Sequence, residues 1–155
     1  MAFGTPSLKG RALRLLSQRE HSRTELERKL AKHEEAPGEL ARALDELAAK
    51  DFISEPRVVA SVLNQRAARS GALRVRQELQ AKGIAPEAIA QAVAGLQDTE
   101  VERATALWRR RFNAPPADAK ERAKQMRFLL ARGFSGAVAA KVLRSDFDGD
   151  DQTVE

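Results

Sequence analysis

Cysteine is absent from the 155 residues. That excludes disulfides, thiolate nucleophiles and cysteine-ligated metals. Two histidines, His21 and His33, are too few for a histidine-rich metal centre. Tyrosine is missing, tryptophan occurs once, and aromatics make up only 5%, so platforms for stacking bases are scarce. β-branched residues are sparse, and no stretch alternates polar and apolar for long enough to read as a strand. No apolar run approaches the ~18 residues of a membrane helix, and the opening MAFGTPSLKG lacks the apolar segment of a signal peptide. A reducing, cytoplasmic setting and no membrane partner are therefore expected.

What remains is rich in alanine, leucine, arginine, glutamate and glutamine, all strong helix formers. The expected class is all-α. Three helical patterns recur, in the same order each time. The first places apolar residues at i, i+3 and i+4 and an arginine at i+7, one stripe of a helix. It reads Ala12, Leu15, Leu16, Arg19; Val59, Val62, Leu63, Arg66; and Ala104, Leu107, Trp108, Arg111. The second pairs a leucine with a cation three residues on: Leu26 and Lys29, Leu79 and Lys82, Leu129 and Arg132. Gly83 and Gly133 follow at once, as residues that end a helix in the left-handed conformation. The first copy has Leu30 there, so its helix should run on to about His33. The third pattern opens a helix at Pro37, Pro86 and Gly136, with apolar residues three, six and seven further on.

The chain thus reads as three tandem three-helix repeats, at 5–53, 54–97 and 98–145, with an acidic disordered tail at 146–155. Thr5-Pro6 is expected to open the first helix, Ser22 and Glu25 to form a capping box, and Ser54, Asp98 and Asp118 to cap later helices. A unit this short buries little core alone, so stacking into an elongated, curved array is expected. Leu26, Leu79 and Leu129 should sit at the heart of their repeats.

Groups suited to catalysis are few. No phosphate loop occurs. Asp146-Phe-Asp-Gly-Asp150 fails as a calcium loop, because Arg144 falls where the first acid is required. Ser22 beside His21 suggests a nucleophile and base, but capping explains Ser22, and His21 reads as an exposed or interfacial turn residue. No enzyme, cofactor or metal is expected.

Charge is uneven. The tail holds Asp146, Asp148, Asp150, Asp151 and Glu155, which leaves residues 1–145 with 27 cations against 17 acids, a net +10. Cations concentrate between Arg57 and Pro86, where Glu78 is the only acid, and between Arg103 and Pro116, where there is none. Arg19, Arg66 and Arg111 lie on the apolar stripe and read as structural. Arg69, Arg74, Arg76, Lys82, Arg103, Arg109 and Arg110 form the candidate binding set, since arginine suits bidentate recognition of phosphate or carboxylate oxygens. Arg74 points away from the Val75/Leu79 face, and Arg103 and Arg110 share an outer face, so none of the three is expected to support the fold. A solvated face is the plainer reading of the same residues. Trp108 lies on the core stripe, so any nucleic-acid contact should run through backbone charge.

Four segments carry a resemblance: ALRLLSQREHSRTELERKL at 12–30, AAKDFIS at 48–54, RSGALRVRQELQAKGI at 69–84 and FLLARGFS at 128–135. In order and spacing they resemble the RecX family of bacterial recombination regulators, over roughly residues 8–145. The resemblance implies tandem three-helix repeats and a non-enzymatic, cytoplasmic protein. It implies binding along the groove of the RecA filament on DNA, with damping of ATP hydrolysis, strand exchange and co-protease activity, and binding to DNA itself. Where members are richer in aromatics in the middle repeat, this chain has Val58, Val59 and Val62. A monomer is expected. The competing reading is a sequence-tolerant architectural protein that binds single- or double-stranded DNA alone.

Overall fold

The structure, a computed structural model, describes residues 4–112 and 114–148. Among the described residues there are nine α-helices, one 3-10 turn and no strand. The helices are α1 (Leu8–Gln18), α2 (Arg23–Leu30), α3 (Glu39–Ala49), α4 (Glu55–Arg66), α5 (Ala72–Ala81), α6 (Pro86–Gln97), α7 (Glu100–Arg111), α8 (Ala119–Ala131) and α9 (Gly136–Asp148). The 3-10 turn, Ala31–His33, extends α2, as the missing glycine after Lys29 implied.

Local chemistry sets most helix ends. Ser22 accepts from the Glu25 amide while the Glu25 side chain accepts from the Ser22 amide, a complete capping box. Ser54 and Asp118 accept from the amides of Arg57 and Glu121. Gly83 and Gly133 are left-handed, with φ of 71° and 90°. The amides of Ile84 and Phe134 then reach back to the carbonyls of Leu79 and Leu129, at 3.1 and 3.2 Å, closing both helices. Two expected caps are corrected. Ser7, rather than Thr5-Pro6, caps α1 by accepting from Gly10. Asp98 only terminates α6, and Thr99 precedes α7 without a side-chain cap. The backbone of α9 reaches Asp148, so the helix takes in residues 146–148 of the segment expected to be a disordered tail. Residues 149–155 lie outside the described residues.

Each repeat has its own core. Leu26, Leu44 and Leu47 centre the first; Val58, Val75 and Leu79 the second; Trp108, Leu129 and Phe134 the third. Leu26, Leu79 and Leu129 are all fully buried. In α4 the deepest residues are Val58 and Val62, with Val59 and Leu63 half-buried. The stripe is therefore rotated slightly from the expected one. The single tryptophan donates its indole N–H to Gln125 Oε1 at 2.8 Å, so burying its polar atom costs no hydrogen bond.

Two joints link the repeats, built alike. In each, the left-handed glycine that closes one repeat's second helix packs on the first turn of the preceding repeat's second helix. Gly83 lies on Thr24, and Gly133 on Arg74. At the first joint Arg28 donates to the Ala81 carbonyl at 2.8 Å, Lys82 pairs with Glu25 at 3.1 Å, and Arg57 pairs with Glu20 at 2.9 Å. At the second, the Gly71 amide donates to the Arg132 carbonyl at 2.8 Å and the Leu73 amide to Gly133 at 3.2 Å. The first repeat has Leu30 where the other two have a closing glycine.

The first joint is expected to weaken in acid. Burial works to raise the Glu25 pKa, but Arg19 at 2.6 Å, the Ser22 amide and Lys82 outweigh it and hold it at about 2. His21 is 1% exposed, against the exposed or interfacial position expected. Its Nδ1–H donates to the Arg19 carbonyl at 3.1 Å and its Nε2 accepts from Lys29 Nζ at 3.0 Å, since an ammonium can only donate. Burial lowers its pKa, and the charges of Arg19 and Lys29 add to that. Both folded-state values lie below the unfolded ones, so both groups stabilise the fold at neutral pH. The His21 contribution fades as pH falls below about 6.5, and the Glu25 contribution fades between about 4.5 and 2. Thermal midpoints measured across pH should fall in those two windows, and Glu25→Gln should remove the lower one. A lower window unchanged in Glu25→Gln would assign it to other carboxylates.

Candidate partner-binding surface

The seven cations of the candidate set separate into two groups. Arg74, Lys82 and Arg103 are tied into the joints. Arg74 Nη1 donates to the Ala131 carbonyl at 3.1 Å, across the boundary between the second and third repeats. Arg103 donates to the carbonyls of Ala67, Ser70 and Leu96 at 2.6, 2.7 and 3.1 Å. Burial lowers its pKa, with Glu100 opposing. Glu100 is itself buried and accepts from the Ala72 amide at 2.9 Å, capping α5, whose N-terminal Gly71 has no side chain to do so. Arg74 and Arg103 thus support the fold, contrary to the expectation from their helical faces.

Arg69, Arg76, Arg109 and Arg110 are exposed. Arg69 sits in the turn after α4, close in sequence to the carbonyls that Arg103 holds, so Arg69, Arg74 and Arg103 gather at the second joint. Arg76 borders a shallow cavity of about 300 Å3 with Gln80, Ile84 and Ile89. Arg109 and Arg110 lie further along α7. The stripe arginines take the structural roles expected of them. Arg19 pairs with Glu25, Arg66 with Glu78 at 2.9 Å, and Arg111 lies over the Phe112 ring at 5.2 Å.

A second basic region, around Arg11, Arg14, Lys29 and Lys32 in the first repeat, lay outside the candidate set. Its signal was present as two i, i+3 cation pairs. Nothing in either helix alone shows that the two pairs face each other.

Among the described residues no cluster of His, Asp and Glu could hold a metal, and no buried side-chain nitrogen or oxygen lacks a partner. Ser22 and His21 are both engaged in structural bonds. No helix among the described residues is long and apolar enough to cross a membrane.

This architecture defines an all-helical tandem-repeat protein whose outward chemistry is cationic. Residues 9–47, 54–93 and 98–143 match, in order, the first, second and third three-helix domains of RecX. The chain is 56% identical over 146 residues to the regulatory protein RecX of Leptothrix cholodnii, covering 93% of each. It is 49% identical over 138 residues to that of Ralstonia nicotianae, covering 89% of this chain and 87% of the relative. The crystal structure of RecX from Lactobacillus salivarius superposes with a TM-score of 0.73 at 22% identity, over 89% of this chain and 93% of that one. The chain belongs to the RecX family of regulatory proteins.

Proposed function

We propose that this protein binds the RecA filament assembled on DNA and damps its ATP hydrolysis, strand exchange and co-protease activity. It acts in the cytoplasm as a monomer, by occupying a surface, and performs no covalent chemistry of its own. The identity to proteins named regulatory protein RecX, over nearly the whole chain, carries this reading. Three repeats at 5–53, 54–97 and 98–145 supply a surface long enough to meet a repeating partner, and the arginines exposed on the second and third repeats supply complementary charge for DNA phosphates or acidic protein groups.

The test adds purified protein to RecA on single-stranded DNA and follows ATP hydrolysis. Inhibition is expected, and no change at several-fold excess over filament would overturn the reading. Arg69→Glu/Arg76→Glu/Arg110→Glu locates the surface. These three are exposed, so each should cost within about 0.5 kcal/mol of stability. Inhibition should fall on the order of tenfold, most at low salt. A normally melting variant with full inhibition would place the contact on the first repeat.

The net +10 of residues 1–145 favours a second reading, an architectural protein that binds DNA alone. A binder of that kind loses affinity log-linearly with salt whether or not RecA is present.

A further inference from the structure

Between α1 and the α2/3-10 segment lies a groove with a cavity of about 400 Å3. Arg11 and Arg14 stand on one wall, Lys29 and Lys32 on the other, and Leu15 and Leu30 form an apolar floor. No Asp or Glu lines it. Lys9, Arg19, Arg23, Arg57, Arg66 and Lys82 hold ion pairs with acids; what sets the groove apart is four cations on two facing walls of one cavity with no acid in its lining. Among the described residues, the side chains of Arg11, Arg14 and Lys32 hold neither an ion pair nor a hydrogen bond, and the Lys29 ammonium meets only neutral His21. Glu34, Glu35 and Glu39 line an adjoining cavity that shares Arg11 and Lys32 with the groove. Two of them are already occupied, Glu34 by the Leu40 amide and Glu39 by the amides of Glu35 and Ala36.

Like charges this close repel each other, and an anion between them removes the cost. Cations on both walls, as two i, i+3 pairs, call for several negative groups in a row. A cavity of this size takes a nucleotide-sized group, and the apolar floor gives sugar and base a dry face without specifying sequence. The walls carry no acceptor-rich acid to read an amide-bearing peptide. We propose that this groove of the first repeat binds successive phosphates of a single nucleic-acid strand. The contact is to the backbone and tolerant of sequence. It is distinct from the arginines of the second and third repeats. It does not depend on the RecA reading, because the ligand is the strand alone.

The test is a fluorescence anisotropy titration of labelled oligo(dT) over a range of salt, without RecA. Failure there leaves the regulatory reading standing, and failure of the ATP hydrolysis assay leaves this one standing. Arg11→Gln/Arg14→Gln/Lys32→Gln should weaken binding about tenfold or more at low salt. Its log-affinity against log-salt slope should flatten by about 2, as expected for three lost single-strand phosphate contacts. Arg42→Gln/Lys50→Gln/Lys124→Gln makes the same change of charge on exposed residues away from the groove and should stay within about threefold of wild type. Lys32→Glu alone, at an exposed position, should follow the groove variant in direction and guards against a folding defect. Equal losses in both triple variants would overturn the proposal in favour of diffuse charge. An unchanged oligo(dT) affinity in the groove variant would also overturn it, and lost binding of tripolyphosphate or poly-glutamate beside that result would reassign the groove to a free polyphosphate or an acidic protein segment.

Discussion

Leu79→Ala should lower stability by about 2–5 kcal/mol, the cost of removing a buried leucine from a site that relaxes only partly. Leu79 is fully buried among Val58, Val62, Val75 and Val93, and its carbonyl also receives the Ile84 amide that closes α5. A small helical protein has only about 5–15 kcal/mol in total, so the midpoint in urea should drop sharply. Where that loss appears is equally informative. Trp108 is the only tryptophan and lies in the core of the third repeat. Its fluorescence reports that repeat, whereas circular dichroism reports the helices of all three. If the joints couple the repeats, both signals should shift together, although Leu79 and Trp108 belong to different cores. A change in midpoint under about 0.5 kcal/mol would contradict the packing of the second repeat. A circular dichroism shift that leaves the fluorescence transition in place would show that the joint does not transmit.

What could be read from the sequence follows from the range of the forces involved. The Ser22–Glu25 box, the glycines at 83 and 133 and the leucines at 26, 79 and 129 act within one or two helical turns, so their spacing carries the signal. The repeats were legible for the same reason. Arg74 and Arg103 were misread because their acceptors are carbonyls on other elements. Ala131 is 57 residues from Arg74, and Ser70 is 33 from Arg103. A helical face that looks solvent-directed in one repeat is the surface on which its neighbour sits. His21 reads as a turn residue, yet it is buried because the turn folds beneath Lys29, which supplies the donor its ring needs. Asp51 carries no such local mark either. It adopts φ 64° and closes α3 as Gly83 and Gly133 close their helices, with the Phe52 amide on the Leu47 carbonyl at 2.9 Å. Aspartate tolerates that conformation well enough that no glycine marks the place. The basic groove is the same case in binding chemistry: each cation pair is local, and their opposition is tertiary.

Gly71→Ala tests the joint itself. Gly71 has φ of −82°, so alanine is at ease there in its own repeat. The obstacle is the neighbouring repeat. A Cβ at this position would lie 2.6 Å from the Phe134 amide nitrogen and against the Gly133 carbonyl, all backbone that cannot swing aside. To make room, the third repeat must back away, and the bonds from the Gly71 amide to Arg132, from the Leu73 amide to Gly133 and from Arg74 to Ala131 are stretched or lost. At about 0.5–1.5 kcal/mol for each net hydrogen bond, the joint should weaken by about 2–4 kcal/mol. Gly95→Ala supplies the opposite sign. It lies in α6 with nothing within 4 Å of an added Cβ, and should gain about 0.5–1 kcal/mol from helix propensity. In a linear array, a weakened joint separates units that otherwise melt together. In Gly71→Ala the Trp108 fluorescence and circular dichroism transitions should therefore come apart, while each repeat keeps its helices under native conditions. Coincident transitions at an unchanged midpoint would mean that the close approach of Gly71 to Gly133 contributes nothing to holding the second and third repeats together.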